Sequence, residues 1–145
     1  MNEFSVERVD ENVDNHLVML HGYGAGLGFF YNNFEPLSRR PGWKLHALDM
    51  LGMGRSSRPT FKIHAKDKEG KITEAENWFI DSLEEWRVKS GIKQFTLLGH
   101  SLGGYMATVR MLDTWPSNSI LSDSGIHAEI PRQCIKVDPS ESSRE

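Results

Sequence analysis

The chain has 145 residues, a net charge of −3, 38% hydrophobic residues and 10% aromatic residues. That length suits one modest domain, and the four Trp and seven Phe make a globular rather than a disordered composition. The slight acidity argues against nucleic acid as a partner, the single Cys134 excludes an internal disulfide framework, and no apolar run approaches the ~18 residues of a membrane-spanning helix.

The predicted elements alternate between strands and helices. A strand is expected near Phe4–Val9, followed by an apolar strand at 16–21. Glycines 22, 24, 26 and 28 then make a loop, and Phe29–Phe34 opens a short helix stopped near Pro36. Residues 43–49 read as the next strand, and 50–72 as a long, charged, proline-containing connection. Thr73 and Glu76 have the spacing of a capping box. Ala75, Phe79, Leu83 and Trp86 follow at helical spacing, with Gly91 as the expected stop. A strand at 93–98 and a helix at 102–112 come next. Beyond Met111 the pattern collapses. Residues 113–145 are expected to be a divergent, poorly ordered tail, its last stretch from Asp138 rich in Ser and charge. The first residues are too acidic for a transit peptide and too polar for a signal peptide, so membrane contact is expected only at the periphery.

The most informative segment joins the last strand to the last helix. Gly99-His100-Ser101-Leu102-Gly103, followed by Gly104, places G-x-S-x-G between a strand and a helix. That arrangement is a nucleophile elbow, a sharp turn that lifts a serine hydroxyl above the sheet. Gly99 and Gly103 suit it because side chains there would clash where strand and helix pass. The loop His21-Gly22-Tyr23-Gly24 follows an early strand, where α/β-hydrolases offer a backbone N–H to an oxyanion. Tyr23 is therefore assigned one oxyanion N–H and Leu102 the other, and Ser101 the role of nucleophile.

The strings L-V-M-L-H-G-Y-G-A-G, D-M-L-G-M-G-R-S-S-R-P, W-F-I-D-S-L-E-E-W-R and L-L-G-H-S-L-G-G-Y-M-A span roughly residues 4–110. They resemble the α/β-hydrolase subfamily of the lipid-droplet lipase co-activator and the N-acyl phospholipase, and are most similar to its fungal cardiolipin deacylase branch. The resemblance implies acyl-ester chemistry on phospholipids such as cardiolipin, without a cofactor, at a mitochondrial or peripheral membrane location or otherwise in the cytoplasm. Some members are credited with lysophosphatidic acid acyltransfer, linked to an H-x-x-x-x-D motif. No His in this chain has an Asp five residues later. The co-activator branch lacks the nucleophilic serine, which is present here as Ser101.

In this fold the triad order is Ser, then Asp or Glu, then His. Downstream of Ser101 stand Asp113, Asp123 and Asp138, and one histidine, His127. Asp123 and His127 are the weak candidates for acid and base, because nothing in the sequence places them beside the elbow. The chain is thus expected to be inactive or very weak alone. His100 reads as a packing residue, His21 as a holder of the oxyanion loop, and Asp49 as organiser of the turn after its strand. His16, His21 and His46 lack metal-ligand spacing, so no metal is assigned. The glycine run 22–28 does not give G-x-G-x-x-G in register.

Residues 55–71 carry Arg55, Arg58, Lys62, Lys66, Lys68 and Lys71 against Asp67 and Glu69, a local excess of four positive charges in an acidic chain. The plain reading is a solvated loop. The sharper one is contact with anionic phospholipid headgroups.

The sequence therefore predicts an α/β fold: residues 1–112 as the N-terminal part of an α/β-hydrolase, with three to four mostly parallel strands and flanking helices, and residues 113–145 as the tail. Its expected function is a serine acyl-hydrolase of phospholipids. The alternatives are a non-catalytic lipid- or protein-binding remnant and a fragment without independent function.

Overall fold

The computed structural model describes residues 1–114. Asp123, His127 and nearly all of the tail predicted at 113–145 lie outside the described residues. Four strands form one sheet in the order β1-β3-β2-β4: β1 (Asn2–Val6), β2 (Asn15–Leu20), β3 (Trp43–Asp49) and β4 (Thr96–Gly99). Leu17–Leu20 of β2 is a continuous apolar run and Leu45–Asp49 of β3 is continuously buried, because both strands are central and covered on both faces. β2 is parallel to β3, with Val18 opposite His46, and parallel to β4, with Leu20 opposite Gly99. β1 is antiparallel to β3 and makes the sheet mixed.

The period of two along each strand sorts side chains into two cores. On one face Val18, Leu20 and Leu48 pack with Leu83, Trp86, Ile92 and Met106. These belong to α2 (Lys68–Lys89), to the turn after it and to α3 (Leu102–Thr114). On the other face Met19, Leu45 and Ala47 pack with Phe30. Phe30 ends a 3-10 turn at Leu27–Phe30, which runs into α1 (Tyr31–Ser38). The result is three layers, with the sheet in the middle.

Several predicted boundaries move. The first strand is Asn2–Val6 rather than Phe4–Val9, because the chain turns at Asp10, whose φ is +62°. α1 does not stop at Pro36 but runs to Ser38. Asn32, whose carbonyl loses the i+4 donor there, is exposed to solvent. The capping box at Thr73 and Glu76 is not used. α2 begins earlier, with Asp67 as its cap, and the Asp67 carboxylate accepts the Gly70 N–H at 2.8 Å. Glu74 instead fastens the approaching chain, accepting the N–H groups of His64 and Ala65. The connection is therefore 50–67 rather than 50–72. β4 begins at Thr96 rather than 93 and reaches Gly99.

A polar chain is built into the α2 face. His16 Nδ1 lies 2.9 Å from His46 Nε2, and His46 Nδ1 lies 2.7 Å from Glu3 Oε1. The Trp86 indole N–H donates to Glu3 Oε2 at 2.9 Å. These bonds tie β1, β2, β3 and α2 together, and they give His16 and His46 a structural task. Among the described residues no helix is long and apolar enough to cross a membrane.

Candidate active site

The loop after β2, the turn after β3 and the turn after β4 meet at the carboxyl ends of the parallel strands. In open α/β sheets that is where ligands bind. Ser101 stands between β4 and α3 with φ +54°, a conformation that costs a non-glycine residue roughly 1–3 kcal/mol. Two glycines make the turn sterically possible. A Cβ on Gly99 would fall on the Gly103 carbonyl, and a Cβ on Gly103 would fall on the Leu20 carbonyl. The His100 N–H donates to Leu20 O at 3.0 Å and the Gly103 N–H to His100 O at 3.0 Å, fixing the turn against β2. Leu102 is the first residue of α3, where N–H groups have no partner within the helix.

The loop after β2 is held against this turn. A Cβ on Gly22 would lie 3.2 Å from Ser101 Cβ and 3.1 Å from His100 Nδ1. The peptide leading to Tyr23 is thus a direct neighbour of the serine. His21 is fully buried and anchors the loop from below. The Met50 N–H donates to His21 Nε2 at 3.0 Å, so the ring proton sits on Nδ1, which donates to the Gly22 carbonyl at 2.7 Å. Both ring nitrogens are engaged, and His21 is closed to proton transfer. The His100 ring stacks on Phe29, with centroids 4.5 Å apart.

Asp49 is the hub of the turn after β3. Its carboxylate accepts the Leu27 N–H at 2.7 Å, the Arg55 N–H at 2.8 Å and the Asn2 side-chain amide at 2.8 Å. Burial pushes the carboxyl up, but these bonds outweigh it and hold it below the ordinary aspartate range. Gly54, at φ +51°, is required here, because a Cβ would fall on that carboxylate. Ser56, also buried, donates to Asp49 O at 2.5 Å and accepts the Asn2 N–H at 2.8 Å. Asp49 therefore sets the turn and the start of the 3-10 segment. The roles of Asn2, Leu27 and Ser56 escape the sequence reading, although the spacing D-x-x-G-x-G-x-S was the signal available for Ser56.

Beside Tyr23 opens a groove of about 430 Å³, lined by Leu51, Met53, Arg58, Phe61, Trp78 and Phe79 among others. Ser101 itself does not line it; Tyr23 and Gly24 of the neighbouring loop do. Arg55, Arg58, Lys62, Lys66, Lys68 and Lys71 are all exposed, and none pairs with a carboxylate among the described residues. Arg8, Arg39, Lys44, Arg87 and Lys89, elsewhere on the surface, each do. Phe61, Ile63 and Ile72 are exposed in and just beyond the same connection. Among the described residues no group of three His, Cys, Asp or Glu is placed to hold a metal.

The profile of the α/β hydrolase fold matches residues 15–122. An Arabidopsis thaliana 1-acylglycerol-3-phosphate O-acyltransferase is 50% identical over 91 residues, covering 63% of this chain and 20% of that protein. A Bos taurus (lyso)-N-acylphosphatidylethanolamine lipase is 51% identical over 92 residues, covering 63% of this chain and 24% of that protein. The chain thus spans about a fifth to a quarter of the length of these relatives. A probable hydrolytic enzyme from Pseudomonas aeruginosa superposes with a TM-score of 0.61 at 19% identity, covering 76% of this chain and 31% of that one. With the strand–turn–helix at Ser101 and the sheet order in place, the chain belongs to the α/β hydrolase family.

Proposed function

We propose that this chain carries the nucleophile-bearing part of a serine acyl-hydrolase acting on phospholipids, with cardiolipin the substrate suggested by the resemblance of its motifs. The observation that carries the reading is the backbone at Ser101. A positive φ on a non-glycine residue, allowed only by two glycines that touch neighbouring carbonyls, is strain at a functional turn. Ser101 Oγ would attack the ester carbonyl carbon. The oxygen would take up the negative charge beside the Tyr23 and Leu102 N–H groups, donors of a kind that contribute about 2.7–4 kcal/mol each. The hydroxyl proton must go to a base, and the leaving alkoxide must receive one.

Among the described residues no histidine is hydrogen-bonded to the Ser101 hydroxyl. His21 uses both ring nitrogens, and His100 is stacked on Phe29. Without a base the serine remains a weak nucleophile. The 145-residue chain is therefore expected to label little or not at all with a fluorophosphonate probe. A chimera that continues after Thr114 with the part of the Arabidopsis relative that follows the matched segment should label clearly, and Ser101→Ala should abolish it. Labelling that survives Ser101→Ala would remove the nucleophile assignment. Strong Ser101-dependent labelling of the chain itself would point to His127 as base and Asp123 as its partner.

A second reading, a lipid-binding surface without turnover, is favoured by the six cations that have no carboxylate partner among the described residues and by the exposed Phe61, Ile63 and Ile72. It supports peripheral contact with an anionic membrane, and vesicle binding without any probe labelling would select it.

A further inference from the structure

The groove beside Tyr23 combines two kinds of surface. Its aromatic part is continuous: the Phe61 and Trp78 rings are 5.0 Å apart and the Trp78 and Phe79 rings 4.9 Å. Leu51 and Met53 add aliphatic surface. One charged residue lines it, Arg58. The Arg58 guanidinium is positioned by donating to the Gly54 carbonyl at 2.9 Å and to the Ser56 carbonyl at 3.2 Å. Neither acceptor neutralises it, and no carboxylate among the described residues does. A guanidinium has five donors, so several remain for a ligand. The volume of about 430 Å³ lies toward the low end of the roughly 300–1,000 Å³ of small-molecule sites.

An apolar groove with a fixed, uncompensated cation complements an amphiphile with one chain and an anionic head. We propose that the groove is an acyl-chain subsite, taking one chain of a lipid whose phosphate rests on Arg58. A guanidinium can meet a phosphate through two parallel N–H donors, and Arg55 and Lys62, near Arg58 in sequence and without a carboxylate partner among the described residues, add positive charge to the same connection, which suits a phosphate head. Tyr23 belongs to both the groove and the loop beside Ser101, which makes the groove a neighbour of the serine's turn. The proposal deepens the acyl-ester reading by placing the acyl chain, but the binding it describes does not require turnover.

The test uses the full chain carrying Ser101→Ala and an alkyl phosphate brominated in mid-chain, kept below its critical micelle concentration. Bromine quenches tryptophan on contact, and Trp78 is the indole in the groove. Saturable quenching is expected, and most of it should vanish in Trp78→Phe. Arg58→Gln should weaken the phosphate probe about fivefold and leave a neutral glucoside of the same chain unchanged. Phe61→Asp, at a half-exposed position, should weaken both probes while the circular dichroism spectrum stays the same. Quenching of equal size in Trp78→Phe would overturn the subsite. An equal loss of both probes in Arg58→Gln would overturn the phosphate assignment. Absent quenching alongside Ser101-dependent labelling of the chimera would sink the subsite and leave the hydrolase reading standing.

Discussion

The turn at 49–57 and the stretch at 58–72 adjoin in the chain and are built on opposite terms. In the first, buried polar groups have partners: Asp49 accepts three hydrogen bonds, Ser56 makes two, and neighbouring His21 uses both ring nitrogens. In the second, cations stand unpaired and Phe61, Ile63 and Ile72 face solvent. Satisfied networks in a low-dielectric setting fix one geometry, which an oxyanion site needs. Arg58 apart, which donates to the Gly54 and Ser56 carbonyls, these exposed charges beside apolar surface suit contact with something external. The comparison separates residues that hold the turn from residues proposed to meet a ligand, and substitutions in the two regions should diverge accordingly.

The largest effect is expected where the fixed region is tightest. In Gly103→Val the new side chain would begin on the Leu20 carbonyl, and the α3 start would have to leave β2. Overpacking typically costs about 1–3 kcal/mol, and here backbone is in the way, so a loss of about 3 kcal/mol or more is expected in urea unfolding. A variant within 1 kcal/mol of wild type would mean that the elbow does not pack as described.

Acid should act next. Asp49, Glu3 and His16 each sit below their ordinary values of 3.8, 4.5 and 6.5. For Asp49 and Glu3 burial pushes up, but hydrogen bonds win: from the Arg55, Leu27 and Asn2 groups to Asp49, and from His46 and Trp86 to Glu3. For His16 burial itself lowers the value, helped by the charges of His46 and Lys44 and opposed by Glu7. In all three the unfolded chain binds more protons than the folded one. Their contributions are therefore complete above the ordinary values and are lost as pH falls through the folded ones. Unfolding free energy should decline from just below pH 6.5, through His16 first and the carboxylates later. Asp49→Asn should cost about 1.5–3 kcal/mol at pH 7 and flatten the lowest part of that decline. Stability that rises on acidification from pH 6 to 4 would contradict the sign.

How much of this was legible follows the same division. The sheet core was readable because β2 holds an apolar run and β3 alternates apolar residues toward its end, and the sharp strand–turn–helix at Ser101 because the glycines of G-x-S-x-G have a steric meaning. The start of α2 was misread because T-x-x-E at 73–76 imitates a cap. The choice between it and Asp67 depends on Glu74 being spent on the N–H groups of His64 and Ala65, a contact across nine or ten residues. The Asp49 hub was half legible: its turn was foreseen, but Asn2 reaches it from 47 residues away through β1 pairing. The groove needed Tyr23, Met53 and Trp78 to meet, which no local pattern encodes. Asp123 and His127 were visible as residue types and lie outside the described region.

The smallest effect on folding should come from the second region, and there it should coincide with a large effect on binding. Lys62, Lys66, Lys68 and Lys71 are exposed and make no ion pair among the described residues, so changing all four to Gln removes no ion pair seen there. Stability should stay within about 0.5 kcal/mol of wild type, as for ordinary surface substitutions. Binding to anionic vesicles should behave differently, since each basic residue near a charged leaflet adds about 1 kcal/mol. Co-sedimentation with vesicles containing cardiolipin should therefore drop by two orders of magnitude or more in the fourfold variant, while binding to neutral vesicles hardly moves. Added salt should weaken the wild type in the same direction, because exposed charges are screened over about 8–10 Å at physiological ionic strength. Equal wild-type binding to neutral and anionic vesicles would reduce the connection to a solvated loop. A fourfold variant that unfolds early would show the opposite failure: the cations would be holding the fold after all, and the contrast between the two regions would not hold.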